Sequence, residues 1–233
     1  MNIKSKSNDY GRPLVDIAVV VAVSAAAFTV EVAIADILPW GEEARGIIAV
    51  LSGAVAAVVL TLIRGAALAD LGFQRPKRWL TVPFWALGIF VVFVVAQGVV
   101  PVLVANFIDV PQPDMSRYDY IRGNLPAAIT MGLALPLTAA IPEEIVYRGF
   151  LINRLIALFG QGRAGGTLAV VVQALIFGAV HFQWGVGGVF VTAIMGLVWG
   201  FAFLLCGRNL WIVIIAHSMA HVALVMQIYS SPA

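Results

Sequence analysis

Apolar residues run along this chain in long blocks, interrupted by short polar connections. A bilayer core about 30 Å thick needs roughly 20 apolar residues per helix. Seven stretches approach that length: Leu14–Leu38, Ile47–Ile63, Trp79–Phe107, Leu125–Phe159, Thr167–Phe182, Val186–Cys206 and Leu210–Tyr229. The pattern predicts an all-α fold, a polytopic membrane helix bundle of about seven transmembrane helices, or eight. The fourth stretch is too long for a simple span. No repeat or low-complexity segment stands out, and residues 1–233 read as a single integral membrane domain.

Composition agrees with the pattern. Hydrophobic residues make up 61% of the 233 positions and charged residues 11%, against about 25% charged in soluble domains. The mean hydropathy is +0.98. A soluble fold of this size would have to leave much of that surface facing water, so a soluble enzyme is excluded. The net charge is +2, and no basic run extends beyond Arg75–Arg78, so nucleic acid is not an expected partner. The single cysteine, Cys206, excludes an internal disulfide and a Cys-cluster metal site; it reads as a small apolar helix residue.

Charge asymmetry orients the spans. With the N-terminus in the cytoplasm, the inner segments hold Lys4, Lys6, Arg12, Arg64, Arg75, Lys77, Arg78, Arg154, Arg163 and Arg208. The outer segments hold Arg45, Arg117 and Arg122, and are otherwise acidic: Asp36, Glu42, Glu43, Asp109, Asp114 and Asp119. Trp40 and Trp184 fall at outer span ends, Trp79 and Trp211 at inner ends, as in an aromatic belt. The expected placement is multi-pass in a cell membrane, taken as a bacterial inner membrane from the compact size and short loops, with the C-terminus outside. Lys4, Lys6 and Arg12 ahead of an apolar run containing Ser24–Ala27 resemble a signal peptide. The run continues to Leu38, which favours a retained helix. Glu31 within it reads as a carboxylate facing the bundle interior or the outer rim. Val110–Asp114 reads as an outer loop able to move, Gly160–Gly166 as an inner turn, and Gly196–Gly200 as a close helix-packing motif.

Ionisable groups inside a bilayer are expensive and by default mark function. Here Glu143, Glu144 and Arg148 lie in Ile141–Gly149, and all three histidines, His181, His217 and His221, lie in apolar stretches. On a helix, Glu144 and Arg148 share a face, so the arginine can neutralise one carboxylate while Glu143 points about 100° away. His217 and His221 share a face in the same way, as do Phe177 and His181. If the fourth helix runs on through Phe159, then Glu144 and the three histidines fall in one layer roughly 12–22 Å from the cytoplasmic face. The expectation is therefore one long bent helix carrying Glu143 and Glu144, with Pro136 and Pro142 as kink sites.

A carboxylate beside imidazoles suits water activation, the carboxylate serving as general base and further donors stabilising a tetrahedral oxyanion. The same donors could bind zinc, since His-x3-His plus a carboxylate is a workable ligand set. The cofactor expectation is therefore none or zinc, with Glu143, His181, His217 and His221 as the ligands if a metal is bound. A small proton-coupled transporter would also use buried Glu and His, but the broken-helix inverted repeat that would favour it is not evident.

Three motifs in this order resemble the CPBP family, the CAAX proteases and bacteriocin-processing enzymes, also called Abi or Rce1-type intramembrane proteases. They are Pro142–Phe150 with its Glu-Glu-x3-Arg, Phe177–His181, and His217–His221. The resemblance covers about residues 133–225 as a catalytic core and leaves the first four-tenths of the chain unassigned. It implies a membrane endopeptidase acting on a peptide or protein substrate in or at the lipid bilayer. It also implies Glu143 as the base activating water, His181 assisting, Glu144 and Arg148 in support, and His217 stabilising the oxyanion or binding metal. The family commonly carries Asn where this chain has His221. The alternative reading is a non-catalytic membrane immunity or scaffold protein that retains the pattern.

Overall fold

The computed structural model describes residues 13–37, 46–107 and 109–232, and among these it contains helices and turns but no strand. Lys4, Lys6, Arg12, Leu38, Trp40, Glu42, Glu43 and Arg45, which entered the readings above, lie outside the described residues. Seven principal helices follow one another: α1 (Pro13–Ala33), α2 (Ile47–Ile63), α3 (Val82–Val104), α4 (Leu125–Phe159), α5 (Arg163–Ala179), α6 (Gly185–Leu205) and α7 (Leu210–Ser230). Five are long and apolar enough to cross a bilayer, with α3 extended by the turn Trp79–Thr81 and α6 by the turn Phe182–Trp184; α2 and α5 are shorter apolar helices. This is a multi-pass, all-α membrane bundle.

Local chemistry sets the helix ends. Asn124 accepts from the Ala127 amide and Asn209 from the Trp211 amide, capping α4 and α7. Glu31 on α1 accepts from the Gly46 and Ile48 amides at 2.9 and 3.3 Å. It thus satisfies donors that α2 cannot pair internally and places a negative group at the positive end of that helix. The carboxylate therefore faces the bundle, as expected, in a capping role.

α4 is the long helix the motif depth required. It is unbroken over 35 residues, but its hydrogen-bond ladder widens to π geometry over Pro136–Ala140 and again over Glu144–Ile152. Proline has no N–H and crowds the preceding turn, so Pro136 and Pro142 each disturb the ladder where a widened stretch begins. The structure thus resolves the expected kink sites as π segments, a form often found at functional positions.

α5 departs from its expected bounds. It starts at Arg163 and ends at Ala179, so His181 lies past its end, at the start of the turn Phe182–Trp184. The sequence Gly160–Gly162 makes the turn between α4 and α5, while Gly165 and Gly166 already belong to α5. α5 and α6 pack closely against each other. A Cβ at Gly196 would meet the Ala174 backbone at 2.8 Å, and one at Gly200 would meet Val170 at 2.8 Å, so the glycines serve close packing as read from the sequence.

The segment Val110–Asp114 rests on the turn between α5 and α6 and on the start of α6. The Asp114 amide donates to the Trp184 carbonyl at 3.0 Å, and Pro111 packs on Gly187. The following turn is tied to the end of α7 through Gly123 and Tyr229. Donors from the Ser116 side chain and backbone hold the Asp114 carboxyl below its ordinary range.

Candidate active site

Glu143 and Glu144 are neighbours on α4 with opposite surroundings. Glu144 is fully buried and is the hub of an ion-pair network. Arg148 Nη1 donates to its Oε1 at 2.9 Å, one helical turn on, and His217 Nδ1 donates to the same oxygen at 2.8 Å. Both charge-assisted partners fall on Oε1; Glu144 Oε2 and Arg148 Nε and Nη2 are buried without a hydrogen-bond partner among the described residues, so the pair is compensated only in part. Arg148 is also fully buried, with its guanidinium 4.5 Å from the Phe177 ring centre, in cation–π range.

Glu143 faces a cavity of about 970 Å³. Its carboxylate lies 4.0 Å from His181 Nε2 and 3.7 Å from His217 Nε2. Both separations exceed a direct hydrogen bond and suit a water held between the groups. The ring orientations follow from the other nitrogens. His217 Nδ1 is committed to Glu144, and His181 Nδ1 donates to the Phe177 carbonyl at 2.6 Å. Each neutral imidazole then turns an unprotonated Nε2 toward Glu143.

Aromatic rings hold this geometry. Phe177 is fully buried, its ring centre 4.8 Å from Tyr147, 4.7 Å from His181 and 6.4 Å from His217. Trp184 stands 4.9 Å from His181, and Trp199 6.0 Å from His217. His221 sits beside His217 at 4.5 Å between ring centres, lines the cavity, and has its Nδ1 without a hydrogen-bond partner among the described residues.

All six residues singled out from sequence therefore meet. Glu143, His181, His217 and His221 line the cavity, while Glu144 and Arg148 lie behind it. His181 reaches Glu143 from a turn and not from within a span. Among the described residues no group of three or more His, Cys, Asp or Glu side chains is arranged to hold a metal ion. The zinc alternative thus finds no converging ligand set among the described residues.

Two contributions escaped the sequence reading. The first three helices wall the same cavity through Val20, Phe28, Val50, Phe90 and Phe93. At its base Asp16, 2% exposed, pairs with Arg64 at 2.8 Å and Arg154 at 3.0 Å, joining α1, α2 and α4. The available signal was an acidic residue in the first turn of an apolar helix; its partners are 48 and 138 residues away.

Comparison with known proteins agrees with the motifs. Residues 125–223 match a family described as Type II CAAX prenyl endopeptidase Rce1-like. No curated protein and no solved structure matches the chain. The matched segment carries all six residues and is similar to the CPBP/Rce1-type family.

Proposed function

We propose that this protein is an intramembrane endopeptidase in which Glu143 activates water for attack on a peptide bond. One observation carries the reading: the Glu143 carboxylate is bracketed by the free Nε2 atoms of His181 and His217, inside a largely apolar cavity within the membrane bundle. Water between these groups gives a proton to Glu143, and its oxygen adds to the substrate carbonyl carbon. The tetrahedral intermediate collapses when Glu143 returns that proton to the leaving amine. His217 orients water, since its N–H is already given to Glu144. His221, which lines the cavity beside His217, takes the oxyanion role that its place in the motif implies. Glu144 and Arg148 keep His217 in one tautomer and orientation. The catalytic core is then residues 133–225, and the apolar cavity walls suit a hydrophobic or membrane-associated peptide substrate.

The protein's orientation is N-terminus in the cytoplasm and C-terminus outside, in a bacterial inner membrane, on the charge bias of its connecting segments. Cysteines placed at Arg75 and Arg163, on a Cys206→Ala background, should label from the cytoplasmic side and one at Asp114 from outside. Labelling of a Gln161 cysteine from outside would refute this orientation.

The decisive experiment is cleavage of a peptide library by purified wild-type protein and the Glu143→Gln variant. Cleavage by wild type alone supports the assignment. Equal cleavage by both removes Glu143 as the base, and cleavage by neither leaves the immunity or scaffold reading in its place.

A further inference from the structure

The cavity is strongly polarised between the two ends of the bundle. It extends along α4 from Met131 to Leu151 and reaches no further toward the basic end than Ile17 and Leu151. No residue of the connecting segments 64–78, 160–162 or 207–209 lines it. Below it the bundle is sealed. Asp16 and Arg154 pair there, 2% and 8% exposed. The Leu210 amide donates to the Gly72 carbonyl at 2.9 Å. Asn153 donates to the Asp70 carbonyl at 3.1 Å and accepts from Arg208 at 3.1 Å. These bonds stitch α4 and the start of α7 to the connection between α2 and α3.

At the opposite end the lining changes character. Gln112, Gln183 and Gln227 line the cavity and are also solvent-exposed. They come from the segment before α4, the α5–α6 turn and the last part of α7. Three exposed amides, with Arg117 beside them, make a wettable rim around an apolar chamber. This suits the backbone of an extended peptide, which offers both donors and acceptors.

The two ends also differ in charge. The sealed end carries Arg64, Arg75, Lys77, Arg78, Arg154, Arg163 and Arg208. The glutamine-rimmed end carries Arg117 and Arg122 among Asp109, Asp114 and Asp119. Lysine and arginine in short connections mark the cytoplasmic side. From these two asymmetries together we infer that the Glu143 site is served from the extracytoplasmic face, and that its substrate is a peptide segment presented there: the membrane-proximal part of an exported or membrane-anchored protein. A substrate confined to the cytoplasmic face would meet the sealed, basic end. The identity of the substrate as a peptide rests on the protease reading above; the sidedness does not.

The test keeps the two apart. Gln227→Cys and Gln183→Cys are made separately on a Cys206→Ala background, with Lys77→Cys as the reference for the other end. Intact cells are treated with a membrane-impermeant maleimide before and after permeabilisation. Labelling of either glutamine position in intact cells, with Lys77→Cys labelled only after permeabilisation, is the expected result and supports the inference. The reverse pattern overturns it, as does failure of both glutamine positions to label from either side. Repeating the labelling in a Glu143→Gln background should leave the pattern unchanged. Cleavage then reports separately on the chemistry. A bulky impermeant maleimide on Gln227→Cys, added from outside, should abolish cleavage of a membrane-anchored substrate. Cleavage insensitive to that block, with labelling complete, would show that peptide arrives by another route and overturn the inference while leaving the protease reading in place.

Discussion

The helices on either side of the connecting segment 105–124 meet different solvents. In the most apolar windows of α6 and α7, 44% of residues are buried inside the protein; in α1 and α3 the shares are 11% and 6%. α1 and α3 present Val21, Val91, Val92 and Phe84 outward, whereas α5, α6 and α7 bury Phe177, Trp199, Phe203 and His217 completely or nearly so. A helix lying against lipid needs only to be apolar, and many residues satisfy that. One packed between other helices needs small residues where backbones approach and partners for every polar group. His217 and His221 sit on the second kind; Glu143, Glu144 and Arg148 sit on α4, whose most apolar window is 17% buried but whose stretch Glu144–Ile152 is packed, and the first kind walls the chamber. The family match over residues 125–223 falls on that packed half.

The contrast can be broken or sharpened by substitution, and the largest effect should come at Glu143. Glu143→Gln should lower cleavage by about 10²–10⁴-fold with the thermal transition in detergent unchanged, since Glu143 has no close ion pair to lose. Arg148→Ala should instead act on the fold. It leaves Glu144 buried with only His217 as partner, and removing one member of a buried pair costs about 3–5 kcal/mol. A melting curve indistinguishable from wild type would contradict the network described here. At His221, Ala should slow turnover by about 10²–10³-fold through loss of an oxyanion donor. Asn, which also offers an N–H, should retain much of the activity. An inactive Asn variant that has also lost bound metal, beside a zinc-loaded wild type, would transfer His221 to a ligand role.

The smallest effects test the two solvents directly. Phe203 is fully buried and Phe84 is 75% exposed. Phe203→Ala should destabilise by about 2 kcal/mol or more from the cavity it leaves. Phe84→Ala should stay within about 0.5 kcal/mol, as surface substitutions usually do, because lipid fills the space. Equal losses would mean that α3 is packed against protein in the membrane, as a second copy would pack.

Much of this was legible in the chain. Block hydrophobicity determined the class of fold and the bounds of α2 outright, because a bilayer demands continuous apolar length. The spacing of Glu144 and Arg148, and of His217 and His221, determined which side chains share a face, because helical periodicity is local. The depth of the motifs then required an unbroken α4. Other features rest on contacts between residues far apart in sequence, which no local pattern encodes. The position of His181 in a turn follows from how α5 meets α6. The Asp16–Arg64–Arg154 cluster needs three helices brought to one point. The choice between the two adjacent carboxylates, Glu144 neutralised and Glu143 open to the cavity, was decided by packing: α7 delivers His217 Nδ1 to one carboxylate and leaves its Nε2 facing the other.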